Sequence, residues 1–293
     1  MNDTAVMAPA SPKPHIPWIT LSWFGLLILV CNAPALYSLG SVWIDDADMG
    51  HGFFVPVIAG FIIWQRREEL LAIVPKPNLW GLLIVVIGGG QLVAGTLGVE
   101  LFLTHTAILI TLIGVILLLR GTETLRMLAF PLFLLFFMVQ IPNIVYNRIT
   151  LPLQFIASKM AANTLDLIGV PVSRDGNVLE LPHQTLSVVE ACSGIRSLLS
   201  LSFLSLVYGY FFEKRVWVRV VLFAATIPIA IVANGGRVTF TGIMTQIKPE
   251  LAEGFFHEST GWVIFIVALA ILVMFHQLIV RTVDFIAAKR AHA

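Results

Sequence analysis

The chain has 293 residues, of which 58% are hydrophobic and 12% are charged, and its mean hydropathy is +0.91. A soluble domain carries about 25% charged residues, so a water-soluble globule is excluded, because it could not cover this much apolar surface. The formal net charge of +1 argues against nucleic acid as a partner, which requires a strongly basic surface. Composition therefore predicts a membrane protein.

Apolar runs set the predicted architecture, because a helix that crosses the bilayer requires about 20 apolar residues. They indicate an all-α polytopic membrane protein with about eight transmembrane helices, near 19–40, 52–65, 79–98, 101–119, 126–142, 194–212, 217–242 and 259–280. The second and fifth runs are short and contain Pro56 and Pro131. We expect residues 1–18 to be a disordered cytoplasmic N-terminus, 19–280 a single transmembrane domain and 281–293 a cytoplasmic tail.

The first apolar run is predicted to be a retained helix. The segment Ala33-Pro34-Ala35 resembles a signal-peptide cleavage site, but the leader is proline-rich and has Lys13 as its only basic side chain. Cys31 lies within this run and is predicted to be a small buried hydrophobic residue. Two cysteines are too few for a disulfide framework.

The distribution of Lys and Arg predicts the orientation. With the N-terminus in the cytoplasm, twelve of the 18 basic residues fall on the cytoplasmic side, and three of the other six lie in a long loop. The acidic cluster Asp45, Asp46 and Asp48 falls outside. Both termini are therefore predicted to be cytoplasmic.

Residues 143–191 form a long outer loop with structure of its own. Apolar residues at a period near 3.6 between 148 and 168 predict an amphipathic helix in the membrane interface. A small β-hairpin is predicted around Asp175-Gly176, and a third extended piece at 185–190 leads into Cys192. The loop is either a stabilising cap or a platform that binds an extended peptide by strand addition.

Cys192 is the first candidate functional residue and lies in the segment EACSGIRS, 190–197. It is placed near a helix N-terminus, where partial positive charge favours a thiolate. Arg196 is four residues on, so we expect it to share a helical face with Cys192 and to strengthen this effect. Alternatively, Cys192 is a small packing residue and Arg196 extends to lipid headgroups.

Asn234 and Arg237 form a second cluster in the segment NGGR near the outer end of the seventh span. They are three residues apart and face the same way on a helix. An arginine at the end of a long apolar run is costly unless it meets water, headgroups or a partner. Arg237 is thus either functional or an anchor for lipid phosphate.

His257 precedes the eighth span and can titrate near neutral pH as an acid or base. His51 also falls at the outer surface, as a rival base or as a packing group. Because the last three spans alternate in direction, Cys192, Arg237 and His257 all reach the same outer side. A thiol, a cation and a base are the parts required for thiol acyl transfer.

At these residues the sequence resembles the exosortase/archaeosortase family of multi-spanning membrane transpeptidases. The resemblance rests on EACSGIRSL at 190–198, IPIAIVANGGR at 227–237, HESTG at 257–261 and GHGFFVP at 50–56, and extends over roughly residues 45–280. It implies that Cys192 is the nucleophile, Arg237 the essential arginine and His257 the essential histidine. We further predict that Glu190, Arg196, Asn234 and His51 bind or position the substrate. The histidine favours the bacterial exosortase branch. We predict no cofactor and no metal, because the sequence on the outer side lacks a convincing His/Cys/Asp ligand cluster.

The resemblance also implies a cellular role. Such enzymes act in the bacterial inner membrane with the active site on the periplasmic face, and cleave exported proteins at a C-terminal signal of motif, helix and basic tail. A thioester would then pass the protein to a polysaccharide or lipid acceptor at the cell surface. Two alternatives are a non-catalytic membrane component of polysaccharide export and a cysteine protease that only hydrolyses.

Overall fold

The computed structural model describes residues 18–182, 184–188, 194–247 and 254–291. The chain divides into two compact units, Met1–Gln140 and Ile141–Ala293. Among the described residues, six helices are long and apolar enough to cross a membrane, and the count rises to eight if each of two bent helix pairs is one span. The predicted class, an all-α polytopic membrane protein, is confirmed. The predicted disorder at the N-terminus falls almost entirely outside the described residues.

The first unit consists of helices joined by short connections. In chain order these are α1 (Trp18–Cys31), α2 (Ala33–Asp45), a 3₁₀ helix (Ala47–Phe53), α3 (Phe54–Gln65), α4 (Arg67–Ala72), α5 (Trp80–Leu97), α6 (Leu101–Arg120), α7 (Thr122–Met127), α8 (Ala129–Leu134) and a second 3₁₀ helix (Leu135–Met138).

The first predicted span is broken at Asn32, where Ser22–Cys31 and Ala33–Asp45 meet at 75°. Pro34 has no N–H to continue the helical ladder, and it occupies the first turn of α2, where proline is tolerated. Cys31, predicted to be buried, is instead exposed at the end of α1. In a chain with this many apolar helices, an apolar run does not show which of its residues face lipid and which face protein.

The fifth predicted span, 126–142, is not one helix. It is divided among α7, α8 and the second 3₁₀ helix, and it passes as a span only as Ala129–Met138 combined with the next helix. Its carboxyl end is held by side-chain donors of the same unit. Trp43 Nε1 donates to the Met138 carbonyl (2.9 Å), and Gln140 Nε2 donates to Asp46 Oδ2 (3.0 Å).

Helices α5 and α6 form a hairpin whose backbones approach closely. Gly81, Gly88 and Gly95 recur every seven residues along α5, and each lacks the Cβ that would collide with α6. A Cβ on Gly88 would lie 2.5 Å from Thr111 Oγ1, and one on Gly95 would lie 2.7 Å from the Thr104 nitrogen. Small residues at such a seam are the usual basis of helix association in a bilayer.

The second unit contains the predicted outer loop and the last three long helices. Its elements are α9 (Asn143–Leu167), β1 (Ser173–Asp175), β2 (Val178–Glu180), β3 (Thr185–Ser187), α10 (Ile195–Phe212), α11 (Val216–Ile247) and α12 (Gly254–Ala291). The strands form one antiparallel sheet in the order β1-β2-β3. The predicted hairpin is confirmed, with Gly176 in the left-handed region (φ +62°) at its turn. Of the third extended piece, predicted at 185–190, β3 covers Thr185–Ser187, Val188 is helical, and 189–190 lie outside the described residues.

The helix predicted between 148 and 168 is confirmed as α9, whereas its location in the membrane interface stays a prediction. It packs through a face that the apolar pattern did not indicate. Ile156 and Leu167 remain exposed, while Ala157, Ala161 and Leu165 are buried at four-residue spacing. Together with strand residues and Val238 of α11 they form one core: Ala157, Ala161, Leu165, Leu179, Leu181, Leu186, Val188 and Val238. The sheet is therefore fixed to the helices through its buried face.

Helices α10, α11 and α12 share a second core, formed by Leu201, Val218, Leu222, Ala268 and Leu272. Beyond it, a buried polar cluster joins the end of α10 to α12. The His276 ring contacts the Tyr208 hydroxyl at Nδ1 (2.9 Å) and Glu213 Oε2 at Nε2 (3.1 Å). A neutral imidazole satisfies all three groups if Nε2–H donates to Glu213 and the Tyr208 hydroxyl donates to Nδ1.

The Glu213 carboxylate is held in its charged form at this end of the three helices. Burial raises its pKa, but hydrogen bonds from the Arg215 N–H and from His276, together with the Arg215 charge, lower it more. The pKa of Glu213 therefore lies below its ordinary value.

Candidate active site

The backbone that follows Cys192 turns sharply at Gly194, against α11. Gly194 has φ +73°, in the left-handed region that favours glycine, and α10 begins at the next residue. A Cβ at this position would lie 2.8 Å from Asn234 Nδ2 and 3.2 Å from its Cγ. Asn234 is buried in α11, with 5% of its surface exposed. The amide of Asn234 thus fits against a turn that only glycine can make without strain.

Arg237 lies three residues after Asn234, on the same side of α11, and its guanidinium rests on Gly261 of α12. A Cβ at Gly261 would lie 3.1 Å from Arg237 Cζ and from Nη2, and 3.4 Å from Nη1. The neighbouring Gly236 has nothing within 4 Å of its Cβ position. Gly261 therefore provides the surface on which the guanidinium is seated.

His257 belongs to α12 and lies four residues, about one helical turn, before Gly261. Residues four apart lie on one face of a helix, separated by about 6 Å along its axis. Positions 257 and 261 therefore lie on one face of α12. The His257 side chain itself lies outside the described part of the structure.

Cys192 and Glu190 also lie outside the described residues. The described residue nearest to Cys192 in the chain is Gly194, two residues on. Helix α10 begins three residues after Cys192, as expected from the sequence. Arg196 is exposed in the first turn of α10, after the left-handed Gly194. The expected shared face of Cys192 and Arg196 stays a prediction.

His51 lies in the first unit, in the 3₁₀ helix Ala47–Phe53. Its Nε2 lies 3.0 Å from the Phe137 carbonyl, close to the carbonyl that Trp43 binds. This contact ties the 3₁₀ helix to the end of the fifth predicted span. It supports the packing interpretation of His51.

The described residues thus connect the three sequence clusters through α11. Asn234 contacts the turn next to Cys192, and Arg237 contacts the glycine one turn from His257. The structure thus shows how the Arg237 cation is held; that the Cys192 thiol and the His257 imidazole lie beside it, the set required for acyl transfer, stays a prediction. Sequence reasoning missed the two glycines, although Gly194 and Gly261 stand inside the CSG and HESTG segments. It also missed His276, whose signal is an ionisable residue within a long apolar run.

Comparison with known proteins adds one match. A family model described as "Transmembrane exosortase (Exosortase_EpsH)" matches residues 43–274. No curated protein and no solved structure matches the chain. The matched range contains the Cys192 segment, Arg237 and His257, together with Gly194 and Gly261.

Proposed function

Because the chain belongs to the transmembrane exosortase family, a family of membrane cysteine peptidases and transpeptidases, we propose that it is a cysteine transpeptidase acting on C-terminal sorting signals. Its substrates would be exported proteins that end in a short motif, a membrane helix and a basic tail. One observation carries the proposal: Asn234 contacts Gly194, two residues after Cys192, and Arg237 contacts Gly261, four residues after His257.

The first half of the proposed reaction cuts the substrate. The Cys192 thiolate attacks the carbonyl carbon of the scissile peptide bond, and the carbonyl oxygen becomes an oxyanion. Arg237 stabilises this charge, which exists only in the tetrahedral intermediate. As the carbon–nitrogen bond breaks, the His257 imidazolium gives its proton to the leaving amine. The membrane tail departs, and the rest of the substrate remains as a thioester on Cys192.

The second half transfers the substrate. Neutral His257 removes a proton from the acceptor amine or hydroxyl, which attacks the thioester carbonyl. Arg237 again stabilises the oxyanion, and the collapse of the intermediate regenerates the thiolate. The acceptor would be a lipid or polysaccharide group at the cell surface. If water replaces this acceptor, the same residues carry out hydrolysis.

The remaining predicted site residues act by positioning. Asn234 holds the Gly194 turn and so directs the chain that carries Cys192. Arg196 is exposed at the first turn of α10, where it is suited to contact a substrate or a lipid headgroup. Glu190 remains a prediction from the sequence, and His51 acts by ordering the first unit.

The enzyme would act in the bacterial inner membrane with a periplasmic site, and the distribution of basic residues supports an orientation with both termini in the cytoplasm. Arg215 and Arg219 lie near the Glu213 cluster, at the opposite end of α11 from Arg237. Gly261 and His276 are 15 residues apart in α12, or about 22 Å. The reacting groups would therefore lie at the membrane face away from the basic one. A substrate tethered by its own helix would reach them by lateral diffusion.

The experiment co-expresses the protein with a tail-anchored candidate substrate and determines the product mass by mass spectrometry. The wild-type enzyme should remove the tail and add an acceptor to the new carboxyl end, whereas Cys192→Ala should leave the substrate intact. Cys31→Ala is the matched control, because Cys31 is exposed in α1. Processing that survives Cys192→Ala refutes the catalytic role and favours a non-catalytic export component. A product with a free carboxylate assigns hydrolysis instead of transfer.

A further inference from the structure

The three-stranded sheet has two outer edges, and its register shows which backbone groups point away from it. Leu181 and Gln184 exchange two hydrogen bonds (3.0 and 3.3 Å), and the Val188 N–H donates to the Asn177 carbonyl (3.0 Å). Hydrogen-bonded and non-hydrogen-bonded pairs alternate along an antiparallel ladder. The Leu179–Leu186 pair is therefore hydrogen-bonded.

The same alternation turns the other residues of β3 outward. Thr185 pairs with Glu180 and Ser187 pairs with Val178, both at non-hydrogen-bonded positions. Their N–H and C=O groups point away from β2, to the outer edge of β3. Within the described residues these outward groups make no backbone hydrogen bond.

This edge is held rigidly, because Leu186 of β3 and Leu179 of β2 are buried in the core with α9 and α11. The two edges of the sheet differ in charge. The outer edge of β1 carries Arg174 and Asp175, and charged side chains are a common device that prevents pairing with another chain. The edge of β3 carries two small neutral residues, Thr185 and Ser187.

We infer that the outer edge of β3 binds the substrate segment next to the scissile bond as an added β-strand. The inference rests on the proposed function. Ser187 precedes Cys192 by only five residues, at most about 18 Å of chain, so β3 is the strand nearest to the thiol in the sequence. Pairing through the main chain fixes the position of the substrate carbonyls, which acyl transfer requires.

Recognition of this kind has a signature that side-chain binding lacks. An added strand turns the backbone groups of only every second residue toward β3. Loss of a backbone N–H from the substrate should therefore weaken binding at alternate positions only. The strand partner is thus an extended polypeptide of limited sequence requirement.

The test uses the full-length enzyme in detergent and a synthetic substrate peptide whose cleavage is followed by mass spectrometry. Ser187→Pro removes one outward N–H at an edge position, where proline is compatible with a strand. Ser187→Ala is the matched control, because it changes the side chain and keeps the N–H. We expect Ser187→Pro to raise KM about 2- to 10-fold relative to Ser187→Ala, with kcat little changed and the melting temperature retained.

A second measurement does not depend on a variant. Ester bonds replace single amide bonds of the substrate, one position at a time, and KM should rise at alternate positions only. Equal KM values for the two Ser187 variants, or an ester scan without alternation, overturn the edge inference while cleavage still upholds the proposed function. A peptide that the wild-type enzyme leaves uncut overturns both.

Discussion

Substitution of Gly261 by alanine should displace the Arg237 guanidinium without unfolding the protein. The new Cβ would lie 3.1 Å from Cζ and Nη2, whereas non-bonded carbon atoms prefer about 3.5–4.0 Å. The guanidinium must recede by roughly half an ångström. Since a misplacement of about 1 Å can cost about 100-fold in rate, we expect kcat/KM to fall about 10-fold, mainly through kcat.

The matched control for this substitution is Gly236→Ala, next to Arg237 on the same helix, where nothing lies within 4 Å. The assay measures cleavage of the synthetic peptide per folded enzyme, with thermal stability in detergent followed in parallel. Gly236→Ala should retain activity within about twofold, since it perturbs only the exposed side of the helix. The reasoning is refuted if Gly261→Ala matches Gly236→Ala in kcat, or if it loses activity only in proportion to folded protein.

Three further predictions concern the glycine turn, the polar cluster and the α5–α6 hairpin. Gly194→Ala should cost about 1–3 kcal/mol of stability and abolish most cleavage, because the new Cβ stands at a positive φ and collides with Asn234. The melting temperature and the peptide cleavage assay measure these two effects. The pKa of Glu213 is lowered in the folded protein. The charged Glu213 therefore stabilises the fold above the ordinary carboxyl pKa, and this contribution is lost as the pH falls through the lowered pKa of the folded state. Glu213→Gln should therefore lower the melting temperature at neutral pH and make the melting temperature fall less steeply in acid. The control, Glu69→Gln at an exposed position, should have neither effect. Identical profiles of melting temperature against pH for the two variants contradict this. Gly88→Leu should separate α5 from α6 and reduce the yield of folded protein. The control, Gly89→Leu, has open space around it and should leave the yield unchanged. Equal yields of the two variants contradict this.

The sequence predicted the helical membrane fold because long apolar runs have few other solutions in a bilayer. It also predicted the hairpin at Asp175-Gly176, whose local turn chemistry suffices. It did not predict that the 126–142 run is divided among three short helices, because helices this short cannot be distinguished by sequence from one interrupted span. Nor did it predict that Cys31 is exposed, since lipid and protein interiors are equally apolar.

For the candidate site, the sequence identified residue types but not the contacts that position them. Asn234 and Arg237 were predicted to share a face of one helix, which the structure confirms. That Gly194 and Gly261 seat these two side chains depends on the distance between helices, which no local pattern encodes. The same holds for the Tyr208–His276–Glu213 cluster, in which His276 lies 68 and 63 residues from the other two members.

The most direct test of the account is the distance between Cys192 and position 257. In a Cys31→Ser background, His257→Cys is treated with a short bifunctional thiol reagent, and Ser259→Cys serves as the control on another face of α12. An engineered protease site between residues 192 and 257 reports the cross-link, because linked halves stay together on a non-reducing gel. We expect efficient cross-linking from position 257 and little from 259. Efficient cross-linking from 259 and none from 257 would contradict a shared site.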